Sequence, residues 1–75
     1  MPTIHFSSLS RAGLSSEVIQ RYQNSVKGQN YINVSPYTIF PPILLYKGTT
    51  VIADGIHRIC AQLYHGTLVF EYEEV

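Results

Sequence analysis

Hydrophobic and polar residues alternate at every second position in two stretches of the chain, which is the pattern of a half-buried strand. These stretches are residues 3–6 and residues 67–72. Two short apolar runs, residues 43–46 and 50–53, flank a turn and indicate a hairpin of buried strands. The pattern therefore predicts four strands. One face of the last strand is expected to carry Leu68, Phe70 and Tyr72.

Elsewhere the spacing of apolar residues changes to three and four, which predicts two main helices. The first helix covers residues 15–27, is capped by Ser15 or Ser16, and ends at Gly28. Residues 29–40 fit no single pattern and are interpreted as an irregular connection. The apolar face of this first helix consists of Val18, Ile19, Tyr22 and Val26.

The second main helix begins at Ile56, and Gly66 is placed to end it. The order of strand, helix, loop, hairpin, helix and strand indicates an α+β fold with a short mixed sheet and two main helices. A chain of 75 residues has room for one hydrophobic core, so residues 1–75 are expected to form a single domain. The apolar face of the second helix consists of Ile56, Ile59, Cys60, Leu63 and Tyr64.

Composition narrows the classes of partner. Five basic and five acidic residues give a formal net charge of zero, so nucleic-acid binding is expected to be weak at most. Apolar stretches fall far short of the roughly 20 residues of a membrane helix, so no membrane partner is expected. The single cysteine, Cys60, excludes an internal disulfide and suits a cytoplasmic location. Because so small a core has little stability to spare, a homodimer is considered as well.

Candidate chemistry is concentrated in residues 51–60, where a buried strand turns directly into the second helix. The free N–H groups of a first helical turn attract anions, glycine lets a phosphate approach the backbone, and arginine adds bidentate hydrogen bonds. These features coincide here and predict a phosphate-binding site. Its residues are expected to be Gly55, Ile56, His57 and Arg58.

Residues 52–58, with the sequence IADGIHR, resemble the signature of the ParB/sulfiredoxin superfamily. Residues 11–14 and the paired prolines Pro41 and Pro42 resemble the upstream half of the same domains. The resemblance extends over residues 4–72 and is to a stand-alone ParB-like N-terminal, nuclease-like domain. It implies that nucleotide phosphates lie over the last helix, with a nucleoside di- or triphosphate and Mg²⁺ as the expected ligands.

One departure from the family pattern limits the chemistry. Relatives often carry His, Glu or a reactive Cys at the position of Ile56, whose side chain has no proton to move and no nucleophilic atom. Sulfiredoxin activity is therefore not expected, and whether the domain is an enzyme stays open. Residual phosphoryl-transfer or nuclease-type activity would use His57 and Asp54 as catalytic residues. No separate metal site is predicted, because one carboxylate needs phosphate oxygens to complete a Mg²⁺ shell.

Each candidate also has a structural interpretation. Arg58 either pairs with phosphate or bridges to Glu17 or to the acidic residues near the C-terminus. His57 either contacts the phosphate or is a capping or partly buried helix residue, and Asp54 either serves the site or caps the helix. Cys60 is interpreted as a small core residue.

A second functional class follows from the tyrosines, because Tyr31, Tyr37 and Tyr46 exceed what so small a core holds comfortably. Tyrosine is favoured in protein interfaces, where it supplies a large contact area with few rotatable bonds. These residues predict an interface with a protein partner. The alternative function is a catalytically inactive phage or mobile-element protein that uses the fold to bind and modulate a host or defence protein.

Overall fold

The secondary-structure elements follow the chain in the order strand, helix, helix, hairpin, helix, strand. The computed structural model describes residues 2–10 and 14–75. Within these ranges it forms four strands and three α-helices, besides a turn of 3-10 helix at Phe6–Ser8. In chain order they are β1 (Thr3–His5), α1 (Ser16–Asn24), α2 (Val26–Val34), β2 (Ile43–Leu45), β3 (Ile52–Asp54), α3 (Ile56–Tyr64) and β4 (Val69–Glu74).

The four strands form one mixed sheet in the order β1, β4, β2, β3. β4 pairs antiparallel with β1 and parallel with β2, and β2 pairs antiparallel with β3. A parallel pair needs a long crossover connection, and here the chain passes through β3 and α3 between β2 and β4. The predicted α+β class with a short mixed sheet is confirmed.

The core lies where α3 meets the sheet, and α1 and α2 pack against α3. Ile59 and Leu45 are almost completely buried, and full burial of such a side chain contributes roughly 1.5–3 kcal/mol. The predicted alternation in β4 is confirmed, because Phe70 is buried while Val69 and Glu71 are exposed. Leu68 precedes the strand and is exposed.

The predicted helix over residues 15–27 is wrong in its second part, because the chain turns at Ser25. This residue has an extended backbone (φ −67°, ψ 158°), ends α1 and caps α2. Its hydroxyl donates to the Tyr22 carbonyl at 2.7 Å and accepts from the Gly28 N–H at 3.0 Å. One serine therefore satisfies backbone groups of both helices and stabilises the corner between them.

Gly28 lies inside α2 and does not end a helix. A Cβ at this position would collide with the carbonyl oxygen of Tyr22, so the glycine permits the close approach of α1 and α2. The corner also leaves Val26 82% exposed, although its spacing had placed it on the apolar face of the first helix. The connection expected over residues 29–40 is helical as far as Val34, so the described chain has three α-helices and not two.

The remaining boundaries agree with the sequence pattern within one or two residues. The hairpin turn contains Gly48, and Gly66 follows α3 with a φ of 84°. The loop predicted over residues 7–13 begins as 3-10 helix, and Arg11, Ala12 and Gly13, which carry part of the family resemblance, lie outside the described residues. No helix in the described ranges is long and apolar enough to cross a bilayer.

Candidate functional site

Gly55 makes the abrupt turn from β3 into α3. Its φ of 104° lies in the left-handed region, which side chains disfavour. An added Cβ would lie 3.0 Å from the side chain of Ile43 and 3.3 Å from its Cα. Both the backbone angle and the packing therefore require glycine here, and the helix starts directly at the edge of the core.

The first turn of α3 has no side-chain cap. Gly55 is the N-cap residue, and the Ile59 N–H donates to its carbonyl oxygen at 3.0 Å. Among the described residues, no acceptor is found for the backbone N–H groups of Ile56, His57 and Arg58. These groups together with the helix dipole make a positive end that favours an anion. The interpretation of Asp54 as the helix cap is wrong, since its carboxylate binds elsewhere.

Arg58 ties this helix start to the segment before β2. Its Nη1 donates to the carbonyl oxygens of Pro41 at 3.1 Å and Pro42 at 2.8 Å, and its Nη2 lies 3.3 Å from the Asp54 carboxylate. The arginine side chain is 15% exposed, whereas that of Asp54 is 68% exposed. The suggested bridges to Glu17 or to the acidic C-terminal residues are therefore not the ones formed. Arg58 positions the diproline segment.

A small pocket opens beside the uncapped turn. It has a volume of about 140 Å³ and is lined by residues 54–58 together with Lys27 and Tyr31. The structure thus brings together all the predicted phosphate-site residues and adds an exposed lysine and a tyrosine from α2. Lys27 and Tyr31 were not predicted as neighbours of this site because α2 was not predicted. Their i, i+4 spacing was the available signal.

His57 lies between two tyrosine rings. Tyr22 meets it edge-on with ring centroids 5.1 Å apart, and Tyr31 stacks on it at 6.1 Å with an interplanar angle of 20°. Burial, and then the positive charge of Lys27, lower the pKa of His57 below its ordinary value of 6.5. Both effects favour the neutral imidazole, and an anion bound nearby would favour its protonation.

The tyrosines predicted for an interface lie in different surroundings. Tyr31 packs against Phe40 at 5.4 Å as well as against His57, and it is half-buried. Tyr37 and Tyr46 are 89% and 53% exposed. Ile39, close to Tyr37 along the chain, is 98% exposed. An exposed apolar surface therefore exists at residues 37–39, while Tyr31 belongs to the pocket at the start of α3.

The arrangement of possible metal ligands and the surroundings of the single thiol complete the description of the candidate residues. No group of three or more His, Cys, Asp or Glu side chains within those ranges is arranged to hold a metal ion. Cys60 is buried, and burial raises the pKa of its thiol to about 11. A buried, protonated thiol is a poor nucleophile, so the interpretation of Cys60 as a core residue is consistent with the structure.

No family model, curated protein or solved structure matches this chain.

Proposed function

We propose that the chain is a ParB-like phosphate- or nucleotide-binding module whose anion site is the start of α3. The observation that carries the proposal is the uncapped first turn of α3, open to a pocket that Lys27 also lines. Unbonded N–H groups, the helix dipole and an ammonium group all favour a negative charge at the same point. The family resemblance of residues 52–58 points to the same place.

Each residue of the site has a different role in binding the anion. Gly55 lets the ligand approach the backbone, the N–H groups of Ile56 and His57 donate to phosphate oxygens, and Lys27 supplies the flexible positive charge. Arg58 holds the segment before β2 and leaves its charge at the edge of the pocket. In this arrangement Arg58 is mainly a positioning residue.

Catalysis would depend on His57 and Asp54. A neutral His57 has a lone pair to accept a proton, but Ile56 contributes no reactive atom and the Asp54 carboxylate is paired with Arg58. Mg²⁺ would enter with the phosphates of a nucleotide and use Asp54 as its protein ligand. Release of inorganic phosphate from ATP by the wild type, and its loss in His57→Gln, would establish residual phosphoryl-transfer activity.

Binding is tested by titrating ¹⁵N-labelled protein with inorganic phosphate and ADP. We expect the amide signals of Ile56 and His57 to shift, because their N–H groups gain an acceptor. Lys27→Gln should weaken binding about tenfold, which corresponds to about 1.4 kcal/mol. Lys47→Gln is the matched control, because Lys47 is also an exposed lysine and lies in the hairpin turn, outside this pocket. Unchanged amide signals with both ligands, or equal affinities of the two variants, would contradict the proposal.

The exposed residues Tyr37 and Ile39 favour a second candidate function, docking to another protein. Exposed large apolar side chains beside each other are a common feature of interaction sites. Tyr37→Ala combined with Ile39→Ala should abolish recovery of a purified partner in a pull-down, whereas Tyr64→Ala should not, although Tyr64 is also 62% exposed. Equal recovery by both variants would remove this surface from consideration.

A further inference from the structure

The first half of β4 borders a groove on the surface of the domain. The groove has a volume of about 300 Å³ and lies between residues 69–71 and residues 38–43, and side chains of α3 also line it. Ile39 is 98% exposed and Val69 is 52% exposed, so apolar side chains border the groove on both sides. Exposed apolar side chains that lie together are typical of a surface that binds another molecule.

The edge of β4 that faces this groove carries backbone groups for hydrogen bonding. On the other edge, β4 pairs with β1, and the Phe6 N–H donates to the Leu68 carbonyl at 2.7 Å. Backbone groups of an antiparallel strand point alternately to its two sides. The N–H and C=O groups of Val69 and Glu71 therefore point away from β1, towards β2 and the groove.

β2 pairs with only part of this edge. Its first residue, Ile43, lies opposite Tyr72, and the two residues before it are prolines, which have no N–H to donate. The carbonyl oxygens of these prolines accept from Arg58 and not from β4. Within the described ranges, the Val69 carbonyl and the Glu71 N–H thus have no backbone partner on this side.

These two groups match the backbone of one extended segment. An acceptor and a donor that flank a single residue on the same side of a strand are the groups to which an added strand binds. In a parallel arrangement both hydrogen bonds go to one residue of the added segment, and in an antiparallel arrangement they go to the two residues on either side of it. In both arrangements the side chains of the segment alternate between the groove and the outer face of the sheet.

The outer face of β4 carries two carboxylates that lack a cation. Glu71 and Glu73 are exposed on the face opposite to that of Phe70, and neither forms an ion pair with any residue in the described part of the chain. None of the four strands seen in residues 2–10 and 14–75 contains lysine or arginine. Complementary charge selects the partner of such a surface, so a basic segment fits here better than an acidic one.

We propose that an extended segment of another protein, with apolar residues alternating with lysine or arginine, adds to the open half of β4. The apolar side chain opposite Phe70 enters the groove beside Ile39. The neighbouring basic side chains lie on the outer face, next to Glu71 and Glu73. This inference rests on the second candidate function, docking at Tyr37 and Ile39, and specifies the chemistry of the partner.

The probe is a blocked heptapeptide of sequence TKFKVKT, titrated into the ¹⁵N-labelled wild-type protein. We expect the amide signal of Glu71 to shift, because its N–H gains an acceptor. The peptide TEFEVET should bind roughly 2- to 30-fold more weakly, which is the effect of two exposed ion pairs, and added salt should reduce this difference. Equal affinities of the two peptides at low salt would overturn the proposal.

Charge reversal in β4 is the matching test on the protein. Glu71→Lys combined with Glu73→Lys should reverse the preference, so that TEFEVET binds more tightly than TKFKVKT. Glu17→Lys is the control and should keep the wild-type preference, because Glu17 is an exposed glutamate of α1 outside the groove. A preference that the double reversal leaves unchanged would contradict the assigned charges.

Methylation of the peptide backbone tests the hydrogen bonds to β4. N-methylation of phenylalanine and valine removes the N–H that a parallel segment donates to the Val69 carbonyl, and N-methylation of the lysines removes the N–H that an antiparallel segment donates. One of the two modified peptides should bind roughly 2- to 13-fold more weakly, the effect of one hydrogen bond. Wild-type affinity of both would show that no strand is added.

The pattern of shifted signals separates this inference from the other proposals. Shifts limited to residues 37–39 would overturn strand addition and leave the docking surface at Tyr37 and Ile39 standing. A Glu71 signal that moves on dilution of the protein alone would assign the groove to a second copy of this chain and overturn the proposal. Absence of any shift with both peptides would also overturn it, while the phosphate titration tests the site at the start of α3 independently.

Discussion

Replacing Gly55 with alanine should destabilise the fold more than the same change at another left-handed glycine. The φ of 104° at Gly55 costs an alanine roughly 1–2 kcal/mol. Its Cβ would also lie 3.0–3.3 Å from Ile43, including the buried backbone of β2, and such overpacking costs typically 1–3 kcal/mol. We expect a total loss of about 2–5 kcal/mol from the free energy of unfolding.

Gly66→Ala is the matched control. Gly66 has a similar φ of 84°, but an added Cβ would meet nothing within 4 Å. This variant should therefore lose only the backbone term, about 1–2 kcal/mol. Urea unfolding followed by circular dichroism measures both, with the slope checked for two-state behaviour. Equal losses in the two variants would refute the claim that β3 and α3 meet against Ile43, and with it the close approach of the helix start to the core.

Three further predictions follow from individual residues. Gly28→Ala should lower the free energy of unfolding by about 1–3 kcal/mol despite its better helix propensity, because the methyl group meets the Tyr22 carbonyl; a stabilised variant in urea unfolding would contradict the α1–α2 corner. The lowered pKa of His57 means that the unfolded chain binds a proton first as pH falls below 6.5, so the stability His57 contributes is present above that pH and lost below it. Unfolding curves at pH 7 and pH 5 should therefore differ less for His57→Gln than for the wild type, and an equal difference would contradict the shift. Cys60, with its thiol pKa raised to about 11, should react with Ellman's reagent at pH 8 at least roughly 100-fold more slowly in the folded protein than in urea; equal rates would place the thiol at the surface.

The sequence pattern predicted those elements whose burial is periodic. Ile59 and Cys60 in α3 and Phe70 in β4 are buried as the pattern predicts, because one apolar face meets one core. The predicted face of α3 is wrong at its end, since Tyr64 is 62% exposed and Ala61, from outside that face, is buried. α2 was not predicted, because Gly28 has low helix propensity. Glycine is needed at this position because α1 and α2 approach each other closely at the Tyr22 carbonyl. Such a contact leaves no periodic signal.

Part of the candidate site was predictable from the sequence. A strand that runs through Asp54 and Gly55 into a helix identifies an exposed helix start from local residues alone. The partners of Arg58 could not be predicted, since backbone carbonyls 16 and 17 residues away have no side-chain signature in a sequence. Lys27 could be placed near His57 only once α2 was known.

The position of β4 between β1 and β2 has a consequence for synthesis on the ribosome. β1 and the hairpin of β2 and β3 are not neighbours in the sheet, and β4 (Val69–Glu74) is the strand that pairs with both β1 and β2. Until that stretch has left the exit tunnel, Ile43 and Leu45 have no strand to bury against on that side. We expect a nascent chain arrested before residue 69 to be protease-sensitive throughout, and to acquire resistance in a single step once the joining strand is released.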